Sequence, residues 1–351
     1  MTPVHSPWPL FCDDLHLAQS WMRDQLNRFP MTNESGHTAL NIGLRDEVER
    51  HLGCQLTDDR DEQSSEHQFR FRLARMDGVR NPYRELIPRG HHGNVCRFVE
   101  EAAQSKKPLA VQLCGGLGDQ LELLSLVLPW GSRHNVPLRL MAEEKRCRLF
   151  SPLLPDHANI ELFEPDSCSP FSQSMAIRLG VLEHDPTSRF TAWIQSEKHA
   201  RDPHQMVCCW RAEGQGSSLS AHSRSVPFSL VQSFYRRLMQ REPQTKIIDI
   251  TAWRQWEKER FQQIGIILQN PLSLGLTGLI KLCQGRRVLS IDTALIHLCA
   301  AMGHPADLLL PRFPDERWVE LSSPQHNYGE HINFHHSTHF GSWSSLMSSL
   351  C

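Results

Sequence analysis

The sequence predicts an α/β fold of two units, each opened by a buried strand, a tight turn and a helix. Three observations carry that expectation. Residues 108–114 form an apolar run that enters the glycine turn Gly115-Gly116-Leu117-Gly118-Asp119-Gln120, with an apolar helical segment over residues 121–128 behind it. Residues 288–291 form a second such run, which enters Asp292-Thr293 and a helix with Leu295, Leu298 and Met302 at helical spacing, stopped by Gly303 and Pro305. Elsewhere short apolar runs alternate with helical stripes, the pattern of a parallel sheet covered by helices on both faces.

Composition bounds the function. A chain of 351 residues suits two domains of ordinary size, and its net charge of −2 offers no electrostatic case for nucleic acid or an anionic membrane surface. The 11 cysteines include no Cys-x-x-Cys pair, so neither a zinc knuckle nor a redox motif is indicated, and free thiols in a reducing cytoplasm are the simplest expectation. The first residues lack the basic and apolar regions of a signal peptide, and no apolar window approaches the roughly 18 residues of a membrane span. The expected protein is therefore cytoplasmic.

Residues 1–90 read as a helical extension without a chemical motif. An imperfect stripe over residues 10–29 (Leu15, Leu17, Trp21, Met22, Leu26) precedes a second stripe through Leu40, Ile42, Leu44, Val48 and Leu52, then a polar loop over residues 57–67. The first unit spans residues 91–200: a helix over 94–105, the glycine turn after the strand at 108–114, strands at 136–141 and 160–163, and a helix over 143–150. Residues 165–174 and 182–189 are richer in Pro, Ser, Asp and Arg and lead into a link placed between residues 185 and 204, with Asp202-Pro203 as its end. The second unit spans residues 204–335. It opens with the strand 206–210, a Gly/Ser-rich loop, Arg224-Ser225-Val226-Pro227 and an amphipathic helix over 228–240. Strands at 246–250 and 264–268 flank a loop or short helix at 251–263, and a helix over 274–283 precedes the Asp292 strand. The tail, residues 336–351, ends in a helix over 342–351.

Asp292 and Thr293 sit at a helix N-cap, and a strand feeding a helix with free first-turn N–H groups is a cradle for phosphate. An ordinary βα unit with a good cap explains the same spacing. The turn Gly115-Gly116-Leu117-Gly118 does not match the Gly-x-Gly-x-x-Gly of dinucleotide binding. None of Tyr83, Tyr235 and Tyr328 stands four residues before a lysine, so an oxidoreductase or epimerase is set aside. His326, His331, His335, His336 and His339 cluster in the tail, but no helix pattern or completing ligand supports a metal site.

The string Asp292-Thr293-x-x-x-His297-Leu298-x-x-Ala301-x-Gly303-x-Pro305 resembles the nucleotide-sugar motif of GT-B glycosyltransferases of the heptosyltransferase-like family (glycosyltransferase family 9). Leu308-Leu309-Leu310-Pro311-x-x-Pro314-Asp315-x-Arg317-Trp318 is similar to the end of that domain in relatives fused to TPR repeats. The resemblance implies a GT-B fold, two Rossmann-like domains facing across a cleft, here with a mostly helical N-terminal extension. It implies that Asp292, Thr293 and His297 hold a donor diphosphate, that Arg211 or Arg224 reaches its phosphates, and that Thr277 lies near the base or ribose. Gly115, Gly116, Gly118 and Gln120 become the acceptor-side loop, with Asp119 as general base. A cap on the following helix is the structural alternative for Asp119, and a surface pair with Glu213 the alternative for an arginine.

The expected activity is inverting transfer of a sugar from a nucleoside-diphosphate sugar to a glycan, lipid-linked or protein acceptor, without cofactor or metal. Asp292, itself anionic, would act through hydrogen bonds rather than charge. The chain departs from the family in its first 90 residues and lacks the usual lysine between residues 210 and 224, which leaves the donor sugar open. The glycine turn also resembles the Gly-Gly-Leu-Gly-Asn-Gln of fucosyltransferases. A catalytically silent binding module for a nucleotide, glycan or protein stays open as a different class.

Overall fold

The computed structural model describes residues 15–29, 31, 33–54, 69–70, 72–74, 76–77, 92–162, 170–195, 200, 202–212, 224–312, 314, 318, 331–337 and 343–350. The N-terminal extension begins with α1 (Leu15–Arg28), α2 (Asn33–Asn41) and α3 (Arg45–Cys54). Their apolar faces close a core of their own, with Met22, Leu26, Leu40, Val48, Leu52 and Phe69 buried together. The stripe expected across residues 40–52 is divided in two. Gly43 turns the chain at φ +78°, a left-handed conformation that suits glycine, and the Leu44 N–H bonds back to the Ala39 carbonyl at 2.9 Å. The loop expected at residues 57–67 lies outside the described residues.

The first α/β unit runs through α4 (His92–Ser105), β1 (Leu109–Gln112), α5 (Leu117–His134), β2 (Leu138–Ala142), α6 (Glu144–Phe150), β3 (Ala158–Leu162) and α7 (Pro170–His184). Its three strands pair in parallel in the order β1-β2-β3. The sequence reading contains no α7. That helix falls partly in the Pro/Ser-rich stretch expected to lead into the link, and it buries Ile177, Leu179, Val181 and Leu182.

The second unit runs through β4 (Asp202–Cys209), α8 (Phe228–Arg241), β5 (Lys246–Asp249), α9 (Gln255–Gln263), β6 (Ile267–Leu268), α10 (Pro271–Cys283), β7 (Arg286–Ile291), α11 (Ala294–Met302), β8 (Ala306–Leu310), β9 (Ile332–His336) and α12 (Ser344–Ser349). All neighbouring strands are parallel, in the order β6-β5-β4-β7-β8-β9. This is a doubly wound sheet, whose order reverses between its first strand, β4, and its fourth, β7. Side chains alternate across it: Val207 and Cys209 face one core, while Met206, Cys208 and Trp210 face the other.

Several expectations are corrected at the edges. The link ends earlier than expected, because Asp202 and Pro203 already belong to β4. Strand β7 begins two residues before the apolar run expected at 288–291, with Arg286 and Arg287. The histidine-bearing tail contributes an edge strand, β9, paired with β8. The terminal helix does not cross back to the first unit. It packs on α8, where Trp343, Leu346 and Met347 join the second unit's outer core and Arg237 donates to the Met347 carbonyl at 2.9 Å.

The two units share a core. Leu123, Leu124 and Val127 of α5 belong to the same buried cluster as Leu295, Leu298 and Met302 of α11. The segment after α7 straps the two helices together by main-chain bonds. Pro129 inside α5 has no N–H for the Ser125 carbonyl four residues back, and the Thr191 N–H fills that vacancy at 3.0 Å. On the other side, Trp193 and Ile194 both donate to the Ala301 carbonyl, at 2.8 and 2.9 Å.

Beneath the outer face of the second sheet, Asp249 is fully buried. It accepts from Tyr235 Oη at 2.7 Å, Trp253 Nε1 at 2.9 Å and the Thr251 N–H at 2.7 Å, and Tyr235 in turn accepts from Trp210 Nε1 at 2.6 Å. Burial pushes its carboxyl up to about 6 despite these donors. A raised folded-state value makes the native state hold the proton longer than the unfolded chain. Its stabilising share is full below pH about 4 and is lost as pH rises through about 6. Urea denaturation at pH 4 and pH 7 should therefore show a smaller pH dependence in Asp249→Asn than in the wild type. Tyr235→Phe, which strips a donor from Asp249 and an acceptor from Trp210, should lower stability by about 1–3 kcal/mol at either pH.

Candidate functional site

In a doubly wound sheet, ligands bind beyond the carboxyl ends of the strands at the point where strand order reverses. Here that point lies between β4 and β7, which are in register from Cys209 opposite Ser290. Arg211 and Asp292 therefore leave the sheet at the same level. What gathers there is built largely around Asp292, which is 4% exposed.

Asp292 is held from two sides. Arg224, at the start of the segment leading into α8, donates from Nη1 to Asp292 Oδ2 at 3.0 Å. His297 Nε2 lies 3.6 Å from Asp292 Oδ1. The expected side-chain cap of α11 is not formed. Thr293 takes the extended backbone of an N-cap, but its hydroxyl lies 3.1 Å from Ser290 Oγ, which itself donates to the Ile291 carbonyl. The Thr293 hydroxyl thus does not cap the first turn of α11, the part of a helix that favours an anion. Cys209 closes the floor beside Ser290 and Thr293, and burial, with the Asp249 carboxylate beyond it, pushes its thiol up to about 11.

The glycine turn meets this cluster directly. A Cβ built on Gly118 would stand 2.6 Å from His297 Cδ2, so only glycine lets α5 approach α11 this closely. The His297 ring also packs, tilted, against Trp318, centroids 5.2 Å apart. Gly115 opens the turn at φ +82°, and Gln120 ties it down by donating from Nε2 to the Gly115 carbonyl at 3.1 Å. The Asp119 carboxylate accepts the Gly116 N–H on Oδ2 at 3.0 Å, which realises the capping geometry.

The remaining predicted residues are placed apart. Arg211 forks onto Glu257 at 2.8 and 2.5 Å and lies 4.2 Å over the Trp253 ring, so its guanidinium is engaged by α9 instead of Asp292. Burial opposes the Glu257 charge, but Arg211 and the Arg254 N–H hold its carboxyl below the usual range. Thr277 is exposed on α10, just past a break in that helix at Gly275 (φ 61°, ψ −177°). Glu213 lies outside the described residues. In the tail, His335 Nε2 sits 3.0 Å from Asp307 Oδ1, and His326 and His339 are outside the described residues. Among the described residues no group of three or more His, Cys, Asp or Glu side chains is arranged to hold a metal ion.

Two neighbours of the site were not anticipated. Trp318 stood in a quoted motif without a role, and Arg178 carried no signal at all. Arg178 is a charged residue inside a helix that composition hides, yet it donates from Nη2 to the Asp119 carbonyl at 2.7 Å.

The close approach makes a direct prediction. Gly118→Ala should force His297 or α5 to shift and lower stability by about 1–3 kcal/mol, read as a fall in thermal midpoint. In Gly118→Ala/His297→Ala most of that loss should return.

No family model matches the sequence, and no curated protein is significantly similar to it. Among solved structures the chain is similar to Escherichia coli heptosyltransferase WaaC with ADP, at a TM-score of 0.42 and 10% identity over 70% of this chain and 97% of that one. It is similar to E. coli ADP-heptose lipopolysaccharide heptosyltransferase II, at 0.44 and 13% over 65% and 89%. It is also similar to a family 9 glycosyl transferase from Veillonella parvula, at 0.41 and 10% over 66% and 86%. These are distant likenesses of architecture, and the chemistry of the site rests on its own residues.

Proposed function

We propose that the protein is a glycosyltransferase of the heptosyltransferase-like GT-B kind, moving a sugar from a nucleoside-diphosphate sugar to an acceptor hydroxyl with inversion and without a metal. The observation that carries this reading is the meeting of Arg224, Asp292 and His297 with the glycine turn at Gly118, at the switch point of a doubly wound sheet.

The chemistry follows from charge. As the acceptor oxygen attacks the anomeric carbon, the bond from that carbon to the diphosphate oxygen breaks and the diphosphate leaves with the electron pair. The first turn of α11, Thr293 and the Arg224 guanidinium favour that anion. Arg224 is already paired to Asp292, so Asp292 acts as its aiming partner and accepts from donor hydroxyls. Asp119 takes the proton of the acceptor. A carboxylate has two oxygens, so the cap to Gly116 and the role of base are compatible. Arg211 serves as a strut between β4 and α9, and Thr277 lies on the exposed approach to the base or ribose.

The donor sugar and the acceptor class, whether glycan, lipid-linked or protein, are set by parts of the chain outside this cluster. Among the described residues no helix is long and apolar enough to cross a membrane, and the described cysteines are free thiols, which fits the reducing cytoplasm we propose as its location. The capping bond of Asp119 favours one competing reading, a silent nucleotide- or glycan-binding module in which that carboxylate is purely structural.

Thermal unfolding against a panel of nucleoside diphosphates and nucleotide sugars tests both. A ligand at about 100 times its dissociation constant should add roughly 2.7 kcal/mol. That gain should vanish in Thr293→Ala and Arg224→Ala and persist in Asp119→Asn, while Asp119→Asn abolishes release of the diphosphate from its sugar. No stabilisation by any nucleotide would overturn the donor site. Binding without turnover in the wild type would move the silent module forward.

A further inference from the structure

Directly beneath the glycine turn, in an otherwise apolar layer, lies a buried charged pair. Arg178 of α7 is 3% exposed and Glu122 of α5 is 2% exposed, with Nη2 and Oε2 3.8 Å apart. Leu121, Leu123, Leu124, Leu179 and Val181 are buried in the same layer. Taking two charges out of water carries a large desolvation penalty, and apolar residues of similar volume often serve stability as well as or better than a buried ion pair. Stability alone is therefore a poor account of the pair.

Its geometry suggests a different one. The Arg178 guanidinium grips the Asp119 main chain through the carbonyl at 2.7 Å, while the Gly116 N–H grips the Asp119 side chain at 3.0 Å. One residue is thus clamped at both ends, at the turn that touches His297 across the unit boundary. Glu122, three residues further along α5, keeps the guanidinium pointed at that carbonyl and balances its charge.

We propose that Arg178, aimed by Glu122, is a positioning residue that holds the first turn of α5 and so sets where the Asp119 carboxylate stands relative to the Arg224–Asp292–His297 cluster. The catalytic half of this inference rests on Asp119 being the base. The clamp itself does not.

The test is the double variant Arg178→Met/Glu122→Leu, which trades the buried charges for apolar side chains, beside Arg178→Lys, which keeps a charged donor for the carbonyl. Thermal midpoint, amide hydrogen exchange over residues 116–123, nucleotide affinity and turnover are measured on the full chain. The double variant should melt close to the wild type and bind the stabilising nucleotide within about twofold. Its Gln120–Leu123 amides should exchange about tenfold faster or more, and kcat should fall about tenfold to a hundredfold with KM for the donor little changed. Arg178→Lys should recover part of kcat. Unchanged exchange at the first turn of α5 overturns the inference whether or not the protein transfers a sugar, and so does full turnover in the double variant. Should that variant fail to fold, wild-type exchange and turnover in Arg178→Lys, whose ammonium cannot reproduce the planar guanidinium's placement, would overturn it equally. Faster exchange in a chain whose wild type binds no nucleotide would support the clamp while sinking the transferase reading.

Discussion

The missing side chain at Gly118 is the constraint from which the rest of the site follows. Because nothing projects there, the His297 ring can lie against the turn, and the N-terminal ends of α5 and α11 can come together. Helix N-termini carry partial positive charge, and the first turn of α11 lies beside the buried Asp292–Arg224 pair. The shared apolar core behind the two helices then fixes their separation, so the polar contacts at the front need no adjustment of their own.

The two landmarks were readable because each couples a strong change of pattern to a turn of unusual chemistry. At residues 108–120 an apolar run stops at three glycines in four residues, and at 288–303 it stops at Asp-Thr and resumes with helical spacing. Local signals of that kind survive folding intact. Pairings over long separations do not announce themselves. Arg224 meets Asp292 across 68 positions and Arg211 meets Glu257 across 46, so the family resemblance offered both arginines for the phosphates but was silent on which one joins the cluster.

Other elements were hidden for different reasons. Helix α7 starts in a polar, proline-bearing stretch, and Arg178, which sits on its buried face, reads as a surface charge. Strand β9 carries histidines and is only partly buried, as suits the edge of a sheet, so it lacked the apolar run that marked the interior strands. In the extension a continuous apolar stripe concealed a reversal at Gly43, because two short helices packed on each other present the same residues to one core as a single helix would.

The strap after α7 has a consequence for how this chain tolerates change. Its main-chain grip uses Ser125, available because Pro129 cannot bond it, and Ala301, available beyond the reach of the cap at Gly303, while the Ile194 side chain is buried in the core the two units share. The segment is therefore constrained in its side chains as well, with Ile194 buried and Trp193 packed against the same core. A further constraint is remote from the strap in sequence: any residue but proline at 129 would offer its own amide to Ser125, and the strap would compete with the helix for its anchor.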